Sequence, residues 1–182
     1  MTTWPESRLV GGRLDTSIRI EVTSRATYYA ARWLDMLGLD CAQPTDGVNP
    51  LHVTVVSGTH DGPETEDVGA ASCVIRLWDF QVGHSGSGFL ASAVSGAATV
   101  IGFPGRPAVA LPADIPEKWC GAYGVILALA ETWRRRQGMA IKPVTYDVSA
   151  ADVLRVFALQ NAGSHEEMVR LWRRNGRIPV EH

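Results

Sequence analysis

The sequence predicts an α/β fold with a largely parallel open sheet and flanking helices. Two observations carry this prediction. Strand-like runs alternate with helix-like runs along the chain, which is the pattern of βαβ units. The run at 72–80 is also apolar enough to be a strand buried on both faces. With 182 residues, of which 46% are hydrophobic, the chain can bury one core, so we predict a single domain over 1–182.

Each predicted strand is an alternating or apolar run bounded by glycine, proline or polar residues, and each predicted helix has apolar residues three and four positions apart. The predicted strands span 16–23, 51–58, 72–80, 99–102, 108–111 and 142–149. The predicted helices span 26–37, 89–96, 116–137, 150–160 and 165–174. We expect Gly38 and Gly138 to end the first and third helices, and Ser149 with Asp152 to begin the fourth.

The helix at 116–137 is the most apolar in the sequence, and Asp114 stands at its start. Its apolar residues at helical spacing are Trp119, Tyr123, Ile126, Leu127, Ala130 and Trp133. Because Asp114 is followed by Ile115 and Pro116, the plain interpretation is that Asp114 is a helix N-cap.

Composition excludes several classes of function. A net charge of −2 gives no electrostatic basis for general nucleic-acid binding. No apolar run reaches the ~20 residues of a membrane span, and the first residues do not resemble a signal peptide, so we expect a cytoplasmic protein without a membrane partner. The three cysteines, Cys41, Cys73 and Cys120, are far apart and suit core positions better than a disulfide or zinc site, and we expect no metal.

Two motifs invite a functional interpretation. In GHSGSG, Ser85 resembles the serine of a GxSxG nucleophile elbow, but the fifth position is Ser87. Gly86, Gly88 and Ala91 fit GxGxxA, but no acidic residue follows at the distance that a dinucleotide site requires. We therefore expect neither a serine hydrolase nor a dinucleotide site.

Several segments, in order, resemble the family III CoA-transferases, which include carnitine CoA-transferase, formyl-CoA transferase and alpha-methylacyl-CoA racemase. The segments cover about residues 9 to 163. They are RIEVTSRATYYAARWLDMLGLD, NPLHVTVVSGTHDGP, SGFLASAVSG, IGFPGRPAVALPAD, GVILALAETWRRRQG and TYDVSAADVL. The resemblance implies a Rossmann-like sheet that is incomplete relative to the family.

The resemblance also implies a role for Asp114, which falls on the family's catalytic aspartate when counted back from Gly124. In the family this carboxylate attacks an acyl-CoA thioester and gives first a mixed anhydride and then an aspartyl-CoA thioester. The sequence departs from the family at Lys118, where a glycine is usual, and between Pro44 and Asn49, where a CoA-binding segment is missing. We therefore expect no firmly bound cofactor, weak binding of free CoA, and a CoA thioester only as a possible substrate.

Three hypotheses for function remain open. The first is a shortened CoA-transferase-like protein that uses Asp114 within an oligomeric assembly. The second is a non-catalytic subunit that stabilises or activates another enzyme of a specialised biosynthetic pathway. The third is an isomerase or cyclase with Asp114 as general base.

The partner is expected to be a second copy or a companion protein, because a shortened sheet should leave an apolar patch exposed. The residues expected to line that patch are Trp4, Trp78, Phe80 and Phe89.

Overall fold

The computed structural model describes residues 18–39, 53–58, 73–100, 107, 109, 111–112, 114–139 and 143–162. Four strands and five helices lie in this part of the chain. In order they are β1 Ile18–Ile20, α1 Arg25–Met36, β2 Val53–Ser57, β3 Cys73–Trp78, α2 Gly88–Val94, α3 Ala97–Val100, α4 Ile115–Arg136, β4 Val144–Ser149 and α5 Ala150–Ala162.

The four strands form one parallel sheet in the order β1-β2-β3-β4. Val53 of β2 lies beside Ile18 of β1 and Cys73 of β3, and Cys73 lies beside Val144 of β4. All four strands therefore end at the same edge of the sheet, and the helices that follow them begin there. The predicted α/β class with an open parallel sheet is confirmed.

The core lies between the sheet and helices α1 and α4, where the sheet contributes the fully buried Val53, Val55, Ile75 and Leu77. The two helices approach closely at Gly121. A Cβ atom there would lie 2.7 Å from the carbonyl oxygen of Ala26 and 2.8 Å from the amide nitrogen of Ala30. Glycine is therefore required at this crossing, because any side chain would meet backbone.

The other face of β3 is also covered, as the sequence predicts. The Trp78 ring lies over Gly58, where a Cβ would be 2.2 Å from the ring, and its indole Nε1 donates to Oδ1 of Asp147 at 2.9 Å. Val74 on the same face is buried. Trp78 thus belongs to the interior, and its assignment to an exposed patch was wrong.

The other residues that we expected in the exposed apolar patch have different outcomes. Phe80 is partly buried and packs against the core, so its assignment was also wrong, because its chain turns back over α5 where the Ala151 amide donates to the Phe80 carbonyl. Phe89 is 66% exposed, as expected. Trp4 lies outside the described residues.

The strand expected at 99–102 is wrong where the structure describes it. Thr99 and Val100 end helix α3 instead. The β-branched residues suggested a strand, but Gly96 turns the chain with a φ of 80°, and the Thr99 hydroxyl donates to the Gly96 carbonyl. Local hydrogen bonds therefore outweigh strand propensity here.

The strand expected at 108–111 is wrong at the positions that can be compared, since Val109 and Leu111 lie in no strand. The Val109 amide donates instead to the carbonyl of Ala98 in α3, at 3.2 Å. The helix expected at 165–174 lies outside the described residues.

The predicted helix ends are confirmed. Gly38 and Gly138 both take a left-handed conformation, with φ of 69° and 68°, directly after α1 and α4. At the start of α5 the Asp152 amide donates to the Ser149 hydroxyl, which donates to the Asp152 carboxylate. Among the described residues, no helix has the length and apolarity to cross a membrane.

Several large apolar side chains of α4 point away from the core, namely Trp119, Tyr123, Ile126 and Trp133. The residues that α4 buries are mostly small, including Cys120, Gly124, Val125 and Ala128. Small residues let the long helix lie close to the sheet. Of the large side chains that mark its helical period, only Leu127 packs partly against the core.

Candidate active site

The candidate site lies at the edge of the sheet where the strands end. Arg25 opens α1 shortly after β1, Asp79 follows β3 directly, and Asp114 precedes α4. In open parallel sheets, ligands bind at this edge because helix N-termini and strand ends converge there. The three charged residues are far apart in sequence and meet only in the folded chain.

The N-terminus of α1 is held by two sets of hydrogen bonds. Ser24 and Thr27 form a capping box, in which the Thr27 hydroxyl accepts from the Ser24 amide at 2.9 Å. Asp79 adds a carboxylate from β3, whose Oδ1 accepts from the Ala26 amide at 2.9 Å and whose Oδ2 accepts from the Arg25 amide at 3.3 Å. Asp79 thereby fixes the position of Arg25 relative to the sheet.

Asp114 has an unusual backbone. Its φ of 76° and ψ of −9° are left-handed, and it is the only non-glycine residue in the described part of the chain with a positive φ. This conformation costs an L-residue roughly 1–2 kcal/mol, although aspartate tolerates it better than most. Backbone strain of this kind is concentrated at functional sites.

The Asp114 side chain does not cap α4. Asp114 occupies the N-cap position and its carbonyl accepts from the Lys118 amide at 2.9 Å, but its carboxylate makes no capping hydrogen bond. The prediction that Asp114 is the N-cap residue is therefore confirmed for its position, but its carboxylate does not act as the cap, because the left-handed backbone turns the side chain away from the helix amides. The carboxylate can therefore bind side chains of other elements.

Those side chains are Arg25 and Tyr29 of α1. Arg25 donates from Nη1 to Oδ1 of Asp114. Burial and a hydrogen bond to Asp114 raise the pKa of the Tyr29 phenol. The Lys118 ammonium lies 5.2 Å from the centre of the Tyr29 ring, within cation–π range. The Asp114 side chain remains about one third exposed, so an external molecule can reach it.

Glu117, one turn into α4, is a second carboxylate near this edge. It is buried, its Oε1 accepts from the Gly88 amide at 2.9 Å, and its Oε2 has no hydrogen-bond partner among the described residues. A Cβ on Gly88 would lie 2.3 Å from Oε2. The sequence indicated Glu117 only as an acidic residue suited to a helix N-terminus, whereas the structure shows that it joins α2 to α4.

A third charged cluster lies toward the opposite edge of the sheet and ties α4 to β4. Oε1 of the buried Glu131 accepts from Tyr146 at 2.8 Å and from Arg134, while Nε of Arg135 lies 3.6 Å from Oε2. The hydrogen bond to Glu131, with burial, raises the pKa of Tyr146. Glu131 is thus paired with neighbours on its own helix and on β4, so the cluster has a structural role.

Cysteine and metal chemistry find no support at the described positions. Cys73 and Cys120 are free thiols in the core, as the sequence predicts, and burial raises the pKa of Cys73 to about 12. In the described ranges no three His, Cys, Asp or Glu side chains are grouped as metal ligands. Ser85 is exposed in the loop before α2.

Sequence reasoning found Asp114 but missed Arg25, Tyr29 and Asp79. One signal was available for Arg25, because a cation in the first turn of a helix opposes the helix dipole and needs a local reason. Asp79 could have been found as the polar residue that directly follows a buried strand. Tyr29 gave no signal, since its role depends on the packing of α1 against α4.

No family model matches the sequence, and no curated protein matches it significantly. Solved structures do match. A CaiB/BaiF family protein from Brucella suis is similar over 71% of this chain and 35% of its own, at 16% identity and a TM-score of 0.48. The hypothetical protein Rv3272 from Mycobacterium tuberculosis is similar over 82% of this chain and 43% of its own, at 16% identity and a TM-score of 0.47.

The chain thus spans less than half the length of either of these proteins. A mutant of Rv3272 gives a TM-score of 0.49 at the same 16% identity. One of these structural neighbours is thus described as a CaiB/BaiF family protein.

Proposed function

We propose that this chain is a shortened CoA-transferase-like protein that acts on an acyl thioester through Asp114, within an oligomeric assembly in the cytoplasm. The observation that carries the proposal is the conformation of Asp114. A strained left-handed backbone directs its carboxylate away from α4 and toward Arg25, at the edge where the strands end. A residue kept only to begin a helix would have used its side chain as the cap.

The proposed chemistry is nucleophilic catalysis by a carboxylate. An Asp114 carboxylate oxygen attacks the thioester carbonyl carbon, the carbon–sulfur bond breaks, and the CoA thiolate leaves with the electron pair. The thiolate then attacks the aspartyl carbonyl of the mixed anhydride and releases the first acyl group as a carboxylate. An acceptor carboxylate reverses both steps and leaves as the new thioester, with Asp114 regenerated.

Arg25 and Tyr29 orient the nucleophile in this scheme. Both belong to α1, and the Asp79 hydrogen bonds fix the start of that helix. Orientation of a reacting group can supply a large part of a rate enhancement, because it removes the entropy cost of finding the reactive geometry. Lys118, in the position where the family usually has glycine, places its ammonium 5.2 Å from the centre of the Tyr29 ring.

Free CoA is expected to bind weakly to the isolated chain. The segment between Pro44 and Asn49 that would carry a CoA-binding arginine in the family is missing from the sequence. Each lost charge-assisted contact to phosphate removes about 1.5–3 kcal/mol. Calorimetry should therefore detect no micromolar binding of CoA unless an assembly partner supplies the contacts, and micromolar affinity of the chain alone would contradict this expectation.

The decisive variant is Asp114→Asn, with Asp152→Asn as its control. Both replace an aspartate near a helix N-terminus, but Asp152 hydrogen-bonds to Ser149 and Arg155, away from the candidate site. We expect Asp114→Asn to abolish turnover of acyl-CoA by the assembly without changing the circular dichroism spectrum. Asp152→Asn should leave turnover unchanged.

Trapping with hydroxylamine identifies the intermediate directly. An acyl-aspartyl anhydride or aspartyl-CoA thioester would yield a hydroxamate at Asp114, detected by peptide mass only when acyl-CoA is present. An active Asp114→Asn variant with no adduct would refute the transferase mechanism. An inactive variant with no adduct would instead favour Asp114 as a general base.

A non-catalytic subunit is the second candidate, and the exposed apolar face of α4 favours it. Ile126 and Trp133, on the helix that Asp114 opens, are 60% and 59% exposed. Surfaces of this kind mark contacts between proteins. If Asp114→Asn leaves the assembly both intact and active, this function accounts for the chain better than catalysis does.

A further inference from the structure

The outer face of α4 carries an apolar stripe that runs along most of the helix. We define the α4 stripe as Trp119, Tyr123, Ile126, Ala130 and Trp133. Each of these residues is exposed. The stripe follows the spacing of an ordinary buried helix face. At one end of it the Trp119 ring packs edge to face against Phe157 of α5, with ring centroids 4.8 Å apart, and stays 37% exposed. Exposure of so many large apolar side chains on one helix is uncommon.

The stripe is self-complementary about its middle residue. Ile126 lies seven positions from Trp119 and seven from Trp133, and Ala122 and Ala130 stand four positions to either side of it. In an antiparallel contact with an identical helix, centred on Ile126, each Trp119 shares a layer with the partner's Trp133. Each Ala122 likewise shares a layer with the partner's Ala130, and small residues there allow close approach.

We propose that the α4 stripe is the two-fold interface of a homodimer, in which α4 packs antiparallel against α4 of a second copy with the axis at Ile126. A two-fold contact uses the same surface on both copies and therefore requires this kind of symmetry. A surface that has evolved for a different protein has no such requirement. The symmetric placement of the two tryptophans and the two alanines thus favours a second copy as the occupant.

Helix α1 also carries exposed apolar side chains. It packs along α4, and three of its residues near the C-terminus are also exposed, namely Trp33, Met36 and Leu37. If each large exposed side chain of the two helices contributes about 100 Å², the apolar surface available is on the order of 700–800 Å² per copy. A stable interface of standard size buries roughly 800 Å² per partner, so a contact of that size needs the exposed side chains of both helices.

This homodimer specifies the oligomeric assembly of the proposed function. It rests only on the existence of an assembly, not on the proposed chemistry. It requires nothing of Asp114, which lies before the first residue of the stripe. Association and chemistry can therefore fail separately, since the experiments below measure mass and cross-linking and the Asp114 experiments measure turnover and adduct formation.

The first experiment compares Ile126→Glu with Leu90→Glu. Both residues are exposed and apolar, but Leu90 lies on α2, off the stripe. Light scattering and sedimentation of the full chain should give twice the 19.7 kDa chain mass for the unaltered protein and for Leu90→Glu. Ile126→Glu should give the monomer mass, because two carboxylates would meet on the axis.

The second experiment tests the direction and register of the contact by disulfide formation. Ile126→Cys should cross-link to itself, because the axis brings the two copies of this position together. Trp119→Cys and Trp133→Cys should each fail alone, because identical positions lie about 21 Å apart along the antiparallel helices, well beyond the ~7 Å limit for a disulfide. Mixing the two variants should restore cross-linking, identified by peptide mass.

Three results would overturn the proposal. The unaltered chain could be a monomer, with residues 163–182 or a companion protein covering the stripe. It could be a dimer that Ile126→Glu leaves intact. Trp119→Cys could also cross-link to itself, which would indicate parallel helices. Circular dichroism on Ile126→Glu separates loss of the dimer from loss of the fold.

Discussion

The guanidinium of Arg25 binds the carboxylate of Asp114 across 89 positions of sequence. Arg25 opens helix α1, where the positive end of the helix dipole makes a cation unfavourable. Asp79 offsets this cost because its carboxylate accepts from the first two amides of the same helix. The three residues form a connected set in which β3 supports α1 and α1 supports the carboxylate at the start of α4.

Replacing Arg25 should impair chemistry far more than stability. The ion pair is largely exposed, so we expect Arg25→Gln to change the free energy of unfolding by less than about 1 kcal/mol. Loss of a charge-assisted hydrogen bond to the nucleophile, at about 1.5–3 kcal/mol, should lower adduct formation at Asp114 roughly 10- to 100-fold. Arg32→Gln, at an exposed arginine of the same helix, is the control and should retain full reactivity.

Replacing Asp114 by glycine should make the chain more stable. Glycine adopts a left-handed backbone without strain, so Asp114→Gly is expected to raise the free energy of unfolding by up to about 1 kcal/mol while abolishing turnover. Asp114→Ala, which keeps a Cβ, should give no such gain. Urea denaturation of the unaltered protein, Asp114→Gly and Asp114→Ala measures the three free energies of unfolding. If Asp114→Gly is less stable than Asp114→Ala, the backbone at this position is not strained.

The contribution of Tyr29 to the free energy of unfolding should be lost at alkaline pH. Because its pKa is raised above the usual value of 10.0, the protonated phenol is favoured in the folded state. The stabilisation is therefore fully present below pH 10 and is lost as the pH rises through the higher folded pKa. The difference in unfolding free energy between the unaltered protein and Tyr29→Phe should be constant from pH 7 to about 9 and shrink above about 10. A difference that does not shrink above about pH 10 would contradict this expectation.

The crossing of α1 and α4 should tolerate no side chain at Gly121. In Gly121→Ala the new methyl group meets the backbone of Ala26 and Ala30, which cannot move without separating the helices. We expect a loss of about 1–3 kcal/mol from overpacking, larger than the ~1 kcal/mol that alanine adds in helix propensity. Gly124→Ala, whose methyl meets only the end of the Leu77 side chain, should cost less in thermal denaturation.

Most of the sheet and the helix ends could be predicted from sequence because they depend on local chemistry. Apolar runs gave the four strands, and Gly38 and Gly138 ended their helices for the reason expected, a left-handed backbone. The failures at Thr99 and Val109 have a common cause. Strand propensity does not include the turn at Gly96, which is followed directly by α3, so that Thr99 lies within this helix and Val109 hydrogen-bonds to it.

The orientation of α4 could not be predicted from its period. A period of 3.6 locates an apolar face but does not indicate whether that face meets its own chain or another surface. The buried side of α4 is made of small residues such as Gly124 and Ala128, which contribute little to an apolar pattern. The same limit applies to Trp78, whose ring lies over Gly58, directly after the neighbouring strand β2.

The order of the strands has a consequence for synthesis of the chain. Both strands that border β3 are parallel to it, but Val144–Ser149 is translated long after Cys73–Trp78. During that interval one edge of the most apolar strand has no partner, and such edges template aggregation. Helix α4 packs on β3 and is complete before β4 is made. It can therefore cover one face of the nascent sheet before β4 pairs with the open edge of β3.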